Sequence, residues 1–245
     1  MDPAGRHALV TGGASGIGAA IVRVLRQAGA VVTVVGRRPH DDPFYQQADV
    51  TDLVAVQAAI QRAETQYGPI SVLVNNAGAA ETAPFAKTTR AMWDRMLAVN
   101  LTSVFTVSQV LLPALVTRGW GRVINVASTA GLTGYPYVAA YVAAKHGVVG
   151  LTRALALEVA KSQVTVNAIC PGYTETKLLT DNFPTIMAKT GKTEAEIRQD
   201  FTKGNPQGRL VQPDEVAAAV LFLCGPGSGA MTGQAIAIAG GEVLH

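Results

Sequence analysis

Short apolar strands alternate with amphipathic helices along almost the whole chain, and this alternation constrains the fold most strongly. "RHALVTGG" and "AVVTVVG" have the length and composition of strands, and "IGAAIVRVLRQAG" between them has apolar residues at helical spacing. The same order continues to the closing pair, "PDEVAAAVLFLCG" and "GQAIAIAGG". Strands that alternate with helices form a parallel sheet covered on both faces. We therefore predict an α/β fold, a Rossmann-type doubly wound sheet of about seven parallel strands, in a single domain over residues 1–245.

One connection departs from this pattern. Between the strand that ends near Gly36 and the strand implied by "YQQADV", the segment "RRPHDDPF" contains two prolines and no apolar periodicity. A crossover between parallel strands normally carries a helix. We expect this crossover to be a loop.

The composition fits a large buried core and argues against several other classes of protein. Hydrophobic residues make up 49% of the chain and charged residues 15%, which excludes an intrinsically disordered protein. The net charge of +3 arises from 20 basic and 17 acidic residues without a basic block, so we expect no nucleic-acid partner. The four histidines are scattered without metal-ligand spacing, so we also expect no metal site.

The cysteines and the apolar segments indicate a cytoplasmic protein without a membrane span. Cys170 and Cys224 lie in apolar surroundings without CxxC spacing, which is typical of packed, reduced thiols. The N-terminal "MDPAGRHALVTGG" lacks the apolar stretch of a signal peptide. The uncharged stretch 216–241 is interrupted at Gly225 and Pro226, which argues against a membrane helix.

The segment "TGGASGIG", residues 11–18, follows the first strand and opens the first helix. Gly12, Gly16 and Gly18 allow the backbone to turn tightly and to bring helix N-terminal amides close to a pyrophosphate. A glycine-rich structural turn is the alternative. The strand–turn–helix context favours a dinucleotide site.

The position that selects between NAD(H) and NADP(H) has no carboxylate. Counting 20 residues from Gly16 leads to Gly36, followed by Arg37 and Arg38. An acid at this place usually binds the adenosine ribose hydroxyls, whereas a guanidinium binds a 2′-phosphate through charge-assisted hydrogen bonds. We favour NADP(H). NAD(H) remains the alternative, because Gly36 does not select against it and the arginines could be solvated loop charges.

Tyr141 and Lys145 in "YVAAK" are four residues apart in a predicted helix and project from the same face. Ser128 ends the predicted strand "GRVINVAS" thirteen residues before Tyr141. A phenol with a pKa near ~10 exchanges protons reluctantly at neutral pH, but a nearby ammonium and an oxidised nicotinamide favour the phenolate. The pattern predicts a proton donor, Tyr141, tuned by Lys145. A packed aromatic and a snorkelling lysine are the alternative.

Five motifs in order resemble the short-chain dehydrogenase/reductase family over essentially the whole chain: "TGGASGIG", "NNAG" at 75–78, Ser128, "YVAAK", and "PG" at 171–172. The resemblance implies hydride transfer between a nicotinamide cofactor and a carbonyl or secondary alcohol. It also implies a catalytic tetrad of Asn100, Ser128, Tyr141 and Lys145, in which Asn100 holds a water behind Lys145. A non-catalytic nucleotide-binding protein with the same fold is a remote alternative.

The motifs and the resemblance together assign a larger set of residues to the cofactor. These are Gly12, Ser15, Gly16, Ile17, Gly18, Arg37, Asp49, Val50, Asn76, Ala77, Gly78, Tyr141, Lys145, Pro171, Gly172, Thr174 and Thr176.

Sequence segments such as "AYVAAKHGVVGLT" and "TVNAICPGY" resemble those of 3-hydroxybutyrate dehydrogenases and polyketide ketoreductases. This likeness implies a 3-oxo or 3-hydroxy acyl substrate, or a cyclic or aromatic ketone. An NAD-dependent 3-hydroxy acid or secondary alcohol dehydrogenase is the alternative. The family also implies a homotetramer.

Residues 173–209 form a long segment that cannot be a core strand. We expect one or two short helices there that act as a lid over the active site. Tyr135 and Tyr137, in "GYPYVAAY", either line the cleft or simply pack, and the sequence leaves both possibilities open.

Overall fold

The computed structural model describes residues 3–244, and seven strands within them form one sheet. The strands are β1 (His7–Thr11), β2 (Val31–Gly36), β3 (Tyr45–Gln47), β4 (Ile70–Asn75), β5 (Gly121–Val126), β6 (Val164–Pro171) and β7 (Ala235–Ile238). Their spatial order is β3-β2-β1-β4-β5-β6-β7, and every neighbouring pair is parallel. The predicted doubly wound parallel sheet is confirmed.

Helices connect most of the strands and cover both faces of the sheet. They are α1 (Gly16–Gln27), α2 (Leu53–Tyr67), α3 (Arg90–Leu97), α4 (Ser103–Thr117), α5 (Ala139–Glu158), α6 (Lys177–Thr180), α7 (Phe183–Thr190), α8 (Glu194–Thr202) and α9 (Pro213–Cys224). A π-helical turn, Ala98–Thr102, joins α3 to α4.

The core consists of hydrophobic clusters on opposite faces of the sheet. Side chains alternate along β1, so Ala8 and Val10 belong to the cluster covered by α1 and α9, whereas Leu9 belongs to the cluster covered by α2 and α4. Every residue of β1 is buried, as expected for a central strand of a parallel sheet.

The connection between β2 and β3 has no helix, which confirms the loop expected there. Two side chains hold this loop against the sheet edge. The hydroxyl of Tyr45 donates to the carbonyl of Arg38 at 2.5 Å, and the Gln47 amide donates to the carbonyl of Arg37 at 3.1 Å. The loop backbone directly after β2 is therefore held by β3, while the Arg37 side chain is exposed.

The strand order places a crevice between the carboxyl ends of β1 and β4. The chain runs from β1 outward to β2 and β3, and then returns to β4 on the other side of β1. In open α/β sheets, ligands bind at such a topological switch point, outside the carboxyl ends of the strands. The glycine-rich turn after β1 and the "NNAG" turn after β4 meet at this crevice.

Residues 173–209 contain three short helices, α6 to α8, so the expectation of one or two was wrong. Pro184 lies at the start of α7, and Gly191 ends it in a left-handed conformation with φ of 71°. Thr193 then starts α8 with a capping box to Glu196. These helix stop and start signals divide the segment into three helices.

The continuous helical segment Arg90–Thr117 is long and apolar enough to cross a membrane by length and composition alone. Half of its apolar window is buried inside the protein, where α4 packs against β4 and β5. The core helix of a soluble protein has the same properties, so this segment is weak evidence for a membrane span.

Candidate active site

The glycine-rich turn after β1 is so tight that Gly12 and Gly18 have no room for a side chain. Gly12 has a φ of +66°, and a Cβ there would lie 2.9 Å from Cα of Ala77. A Cβ on Gly18 would overlap the carbonyl oxygen of Gly12 and lie 2.5 Å from Nδ2 of Asn76. The Asn76 amide itself donates to the carbonyls of Thr11 and Gly12 at 3.0 and 3.1 Å. The two turns at the crevice therefore hold each other in place.

Thr11 is a residue of this site that the sequence analysis did not single out. Its side chain is 2% exposed, and its Oγ1 accepts hydrogen bonds from the backbone N–H groups of Asn76 and Ala77, both at 3.0 Å. The available signal was its place as the last residue of β1, directly before the first glycine. Thr11 joins the carboxyl ends of the two central strands.

The N-terminus of α1 suits a phosphate group. Ser15 precedes the helix but its side chain makes no capping hydrogen bond, so it satisfies none of the free amides of the first turn. Those amides, including that of Ile17, carry the positive end of the helix dipole. A Cβ on Gly16 would lie 3.2 Å from the methyl group of Thr176, so the start of α6 closes over this turn.

Asp49 and Val50 lie after β3, at the end of the crevice beside Arg37. Oδ1 of Asp49 accepts from the N–H and the hydroxyl of Thr51, at 2.9 and 2.7 Å. The backbone hydrogen bond from Thr51 lowers the pKa of Asp49 most, and the charge of Arg37 lowers it further. Among residues 3–244 no hydrogen bond reaches Oδ2, which leaves it available to an amine, and Val50 is buried beside it in the core.

Ser128, Tyr141 and Lys145 come together at the carboxyl end of β5. Ser128 is the second residue after this strand, and its hydroxyl lies close enough to Tyr141 to lower the pKa of that phenol. Lys145 lies one turn after Tyr141 on α5, is 4% exposed, and donates from Nζ to the carbonyl of Val126 at 2.8 Å. Its Nζ lies 5.6 Å from the centre of the Tyr141 ring. A phenol, a hydroxyl and an amine thus share one small volume.

Burial acts against the charged forms of both the phenol and the amine. It raises the pKa of Tyr141, and the nearby hydroxyl of Ser128 opposes this effect. It also lowers the pKa of Lys145 to about 8. The expected acidification of Tyr141 by Lys145 is therefore not found within the protein itself, where desolvation penalises the phenolate and the ammonium alike.

Asn100 lies in the π-helical turn and is fully buried. Its Nδ2 donates to the carbonyls of Ala79 and Met96 at 2.8 and 3.0 Å, and its Oδ1 accepts from the N–H of Ala79 at 3.2 Å. A Cβ on Gly78 would lie 2.9 Å from this Oδ1 and 3.8 Å from Nζ of Lys145. The amide thus holds the end of the "NNAG" turn next to Lys145, and the water-holding role stays a prediction.

The residues after β6 close the crevice from the opposite side. Pro171 is the last residue of β6 and is buried. Thr174 is also buried, and its hydroxyl donates to the carbonyl of Gly172 at 2.9 Å. Thr176 stands at the start of α6 against the glycine-rich turn. All residues assigned to the cofactor therefore lie along one edge of the sheet.

Aromatic rings extend from this edge into α7 and α8. Tyr135 contacts Tyr173 edge to face at 6.1 Å, Tyr173 contacts Phe201 at 4.9 Å, and Phe201 stacks on Phe183 at 5.9 Å. Tyr137 is 65% exposed and has a φ of 67°. Of the two tyrosines that the sequence left open, Tyr135 is in contact with the cleft residues and Tyr137 projects into solvent.

Other candidate chemistry is limited in the described part of the chain. Cys170 and Cys224 are both free and buried, as expected. Burial raises the pKa of Cys170 to about 11 and that of Cys224 to about 12, so neither is a reactive thiolate near neutral pH. No group of three metal-ligating side chains occurs within residues 3–244.

Comparison with known proteins identifies the family. The short chain dehydrogenase family matches residues 6–186. The D-beta-hydroxybutyrate dehydrogenase of Rhizobium meliloti (strain 1021) is 37% identical, over 96% of this chain and 98% of that protein. The acetoacetyl-CoA reductase of the same organism is 38% identical, over 97% of this chain and 98% of that protein. A crystal structure of a variant of actinorhodin polyketide ketoreductase with NADPH superposes with a TM-score of 0.91 at 37% identity, covering 98% of both chains. The chain therefore belongs to the short-chain dehydrogenase family and is a nicotinamide-dependent oxidoreductase that acts on CH–OH groups.

Proposed function

We propose that the protein is an NADP(H)-dependent reductase of 3-oxo acyl compounds, which it converts to 3-hydroxy acyl compounds. The observation that carries this proposal is the convergence of Ser128, Tyr141 and Lys145 beside the glycine-rich turn. The names of two relatives support the substrate class, since β-hydroxybutyrate and acetoacetyl-CoA both carry the reacting oxygen on the third carbon.

We assign the proton transfer to Tyr141. Its hydroxyl donates a proton to the substrate oxygen, while the hydroxyl of Ser128 holds that oxygen by a hydrogen bond and stabilises the negative charge that develops on it. Bound NADPH supplies the hydride and, once oxidised, a positive charge that favours the phenolate. Lys145 adds its own positive charge when protonated, and Asn100 holds the neighbouring turn. The product is a secondary alcohol.

The cofactor-binding residues fit an extended dinucleotide along the carboxyl edge. The amides of Ser15, Ile17 and Gly18 at the start of α1 suit the pyrophosphate. Asp49 offers a free oxygen to the adenine amine. The preference for NADP(H) rests on Arg37, which is exposed and lies near Asp49. Just before it, Gly36 occupies the position where NAD-binding proteins usually carry a carboxylate. NADPH in the related ketoreductase structure supports this preference.

Three further proposals concern the whole protein. We propose that residues 173–209 act as a substrate lid, which the contact of Phe201 with Tyr173 and the stacking of Phe183 on Phe201 support. We propose a homotetramer, because Phe105 on α4 and Leu157 on α5 are 46% and 80% exposed and apolar. We also propose a cytoplasmic location, which the two free, buried thiols support.

A side-by-side assay tests the proposed activity. NADPH and NADH consumption is measured with ethyl acetoacetate, an acetoacetyl thioester, a cyclic ketone and an aromatic ketone. We expect the highest kcat/KM with NADPH and the 3-oxo acyl compounds. No oxidation of either cofactor with any compound would contradict the proposal, and equal kcat/KM for the two cofactors would contradict the role of Arg37.

The second candidate is an NAD-dependent 3-hydroxy acid or secondary alcohol dehydrogenase. Its support is the likeness to D-beta-hydroxybutyrate dehydrogenase, which matches nearly the whole chain. The same assay run in the oxidative direction, with 3-hydroxybutyrate and NAD⁺ or NADP⁺, separates the two candidates. A higher kcat/KM for 3-hydroxybutyrate with NAD⁺ than for ethyl acetoacetate with NADPH would favour the dehydrogenase.

A further inference from the structure

A carboxylate from the C-terminal tail lies at the mouth of the active site. Glu242 follows β7, and its Oε1 accepts a hydrogen bond of 2.5 Å from the hydroxyl of Tyr135. The hydroxyl of Tyr135 also lies 2.9 Å from Oγ1 of Thr129, the residue after Ser128. A segment far away in the sequence is thereby tied to the loop that carries the catalytic serine.

The carboxylate of Glu242 also lies close to the other wall of the cleft. A Cβ on Gly172 would be 2.7 Å from its Oε2, so the carboxylate stands directly against the backbone after β6. The ring of Tyr173 contacts Tyr135, and Tyr173 is near enough to Tyr141 to raise its pKa. Glu242 therefore lies between the loop after β5 and the residues after β6, close to Tyr173, which in turn lies near Tyr141.

The negative charge of Glu242 is not neutralised by a cation. Within residues 3–244 no lysine, arginine or histidine forms a salt bridge with it, and its partner Tyr135 is a neutral phenol. Two cations of residues 173–209 form salt bridges with other carboxylates: Arg198 with Glu175 at 2.7 Å, and Lys203 with Asp200 at 2.6 Å. Glu242 is partly buried, so water screens its charge incompletely.

We propose that Glu242 is a specificity-determining residue that disfavours substrates with a free carboxylate and favours neutral 3-oxo acyl esters and thioesters. This inference rests on the proposed function, whose substrate class it narrows. A fixed negative charge repels an anionic substrate at short range, and a partly dehydrated cleft strengthens that repulsion. The hydrogen bond from Tyr135 holds the carboxylate at this position.

The test compares the protein with its Glu242→Gln variant, which retains the volume and an acceptor for Tyr135 but loses the charge. Glu158→Gln, on the exposed C-terminal end of α5, is the matched control because it makes the same change in net charge away from the cleft. The measurement is kcat/KM with NADPH for acetoacetate and for ethyl acetoacetate. We expect Glu242→Gln to raise the ratio of acetoacetate to ester by ~10-fold or more, and Glu158→Gln to leave it unchanged. An unchanged ratio in Glu242→Gln overturns the inference.

A binding measurement separates this inference from the proposed activity. Calorimetry follows acetoacetate binding to Tyr141→Phe protein loaded with NADPH, with and without Glu242→Gln. We expect the Kd for acetoacetate to fall by ~10-fold when the charge is removed. If neither compound is reduced but the Kd falls, the role of Glu242 stands and the proposed function fails. If the ester is reduced but the Kd is unchanged, or no binding is detected in either variant, the role of Glu242 is overturned.

Discussion

Lys145 donates a hydrogen bond of 2.8 Å from its side-chain nitrogen to the carbonyl oxygen of Val126, the last residue of β5. This bond ties the helix that carries Tyr141 to the strand that leads to Ser128. It also satisfies one donor of an amine that is almost fully buried. The geometry of the proton-transfer site is therefore part of the packing between α5 and the sheet.

The buried amine of Lys145 makes stability depend on pH. Burial lowers its pKa from 10.5 to about 8, so between these values the unfolded chain binds the extra proton and the folded chain does not. The free-energy cost of burying the protonated Lys145 amine is fully present below about pH 8, decreases as pH rises, and is absent above the pKa of the unfolded chain. We expect the free energy of unfolding of the protein to rise by up to about 3 kcal/mol over this range, relative to Lys145→Met.

Urea denaturation at several pH values without added cofactor measures this dependence. Lys161→Met, at an exposed position, is the control, and its difference from the unchanged protein should stay flat with pH. A flat difference for Lys145→Met as well would show that the amine is not destabilised by burial.

Arg37 should select NADP(H) over NAD(H). We expect Arg37→Ala to weaken NADPH binding by ~10-fold and to leave NADH binding within about twofold, because only the 2′-phosphate loses a charge-assisted hydrogen bond. Arg38→Ala is the matched variant and should have a smaller effect, since only Arg37 lies near enough to Asp49 to lower its pKa. Fluorescence titration of both cofactors measures the Kd values. An equal loss of affinity for NADPH and NADH in Arg37→Ala would contradict selection of NADP(H) by Arg37.

Thr11 should support the cofactor crevice through its hydroxyl alone. Thr11→Val keeps the shape but leaves the N–H groups of Asn76 and Ala77 without their acceptor, at a cost of about 1–3 kcal/mol of stability. We also expect NADPH to bind more weakly, because these amides hold the turn that faces the cofactor. Thr117→Val, at an exposed helix end, should change neither property. Thermal unfolding and cofactor titration test both expectations, and unchanged values for Thr11→Val would exclude a supporting role.

Two glycine-to-alanine substitutions should act in opposite directions. A Cβ on Gly18 has no room beside Gly12 and Asn76, so we expect Gly18→Ala to reduce stability and to abolish measurable cofactor binding. A Cβ on Gly150, inside α5, meets nothing within 4 Å. Gly150→Ala should therefore stabilise the protein by about 0.5–1 kcal/mol, because alanine favours the helix. Thermal unfolding measures the stability of both variants. Equal changes in stability would mean that crowding does not explain the glycine at position 18.

The fold could be predicted because its signals are local. The helix of "IGAAIVRVLRQAG" and the missing helix after Gly36 both follow from apolar spacing and prolines, and both were confirmed. The prediction for 173–209 was wrong, because a left-handed Gly191 ends one helix there and the capping pair Thr193 and Glu196 starts another. Three helices resulted where one or two were expected.

Only the site residues that belong to sequence motifs could be predicted. Tyr141 and Lys145 share a helix face, and their spacing alone indicates that they meet. The contact between Tyr135 and Glu242 joins residues 107 positions apart, and no sequence pattern relates them. The direction of the pKa shift of Tyr141 also could not be predicted from the sequence, because it depends mainly on how deeply the phenol is buried.

The most direct test of proton transfer by Tyr141 is the rate of a single turnover by the Tyr141→Phe variant. NADPH-loaded protein is mixed with ethyl acetoacetate, and loss of NADPH absorbance is followed beside a Tyr67→Phe control, whose ring lies at the far end of α2. We predict that Tyr141→Phe slows the reaction by ~10²-fold or more with little change in NADPH binding, and that Tyr67→Phe matches the unchanged protein. A loss below ~10-fold in Tyr141→Phe would mean that another group delivers the proton.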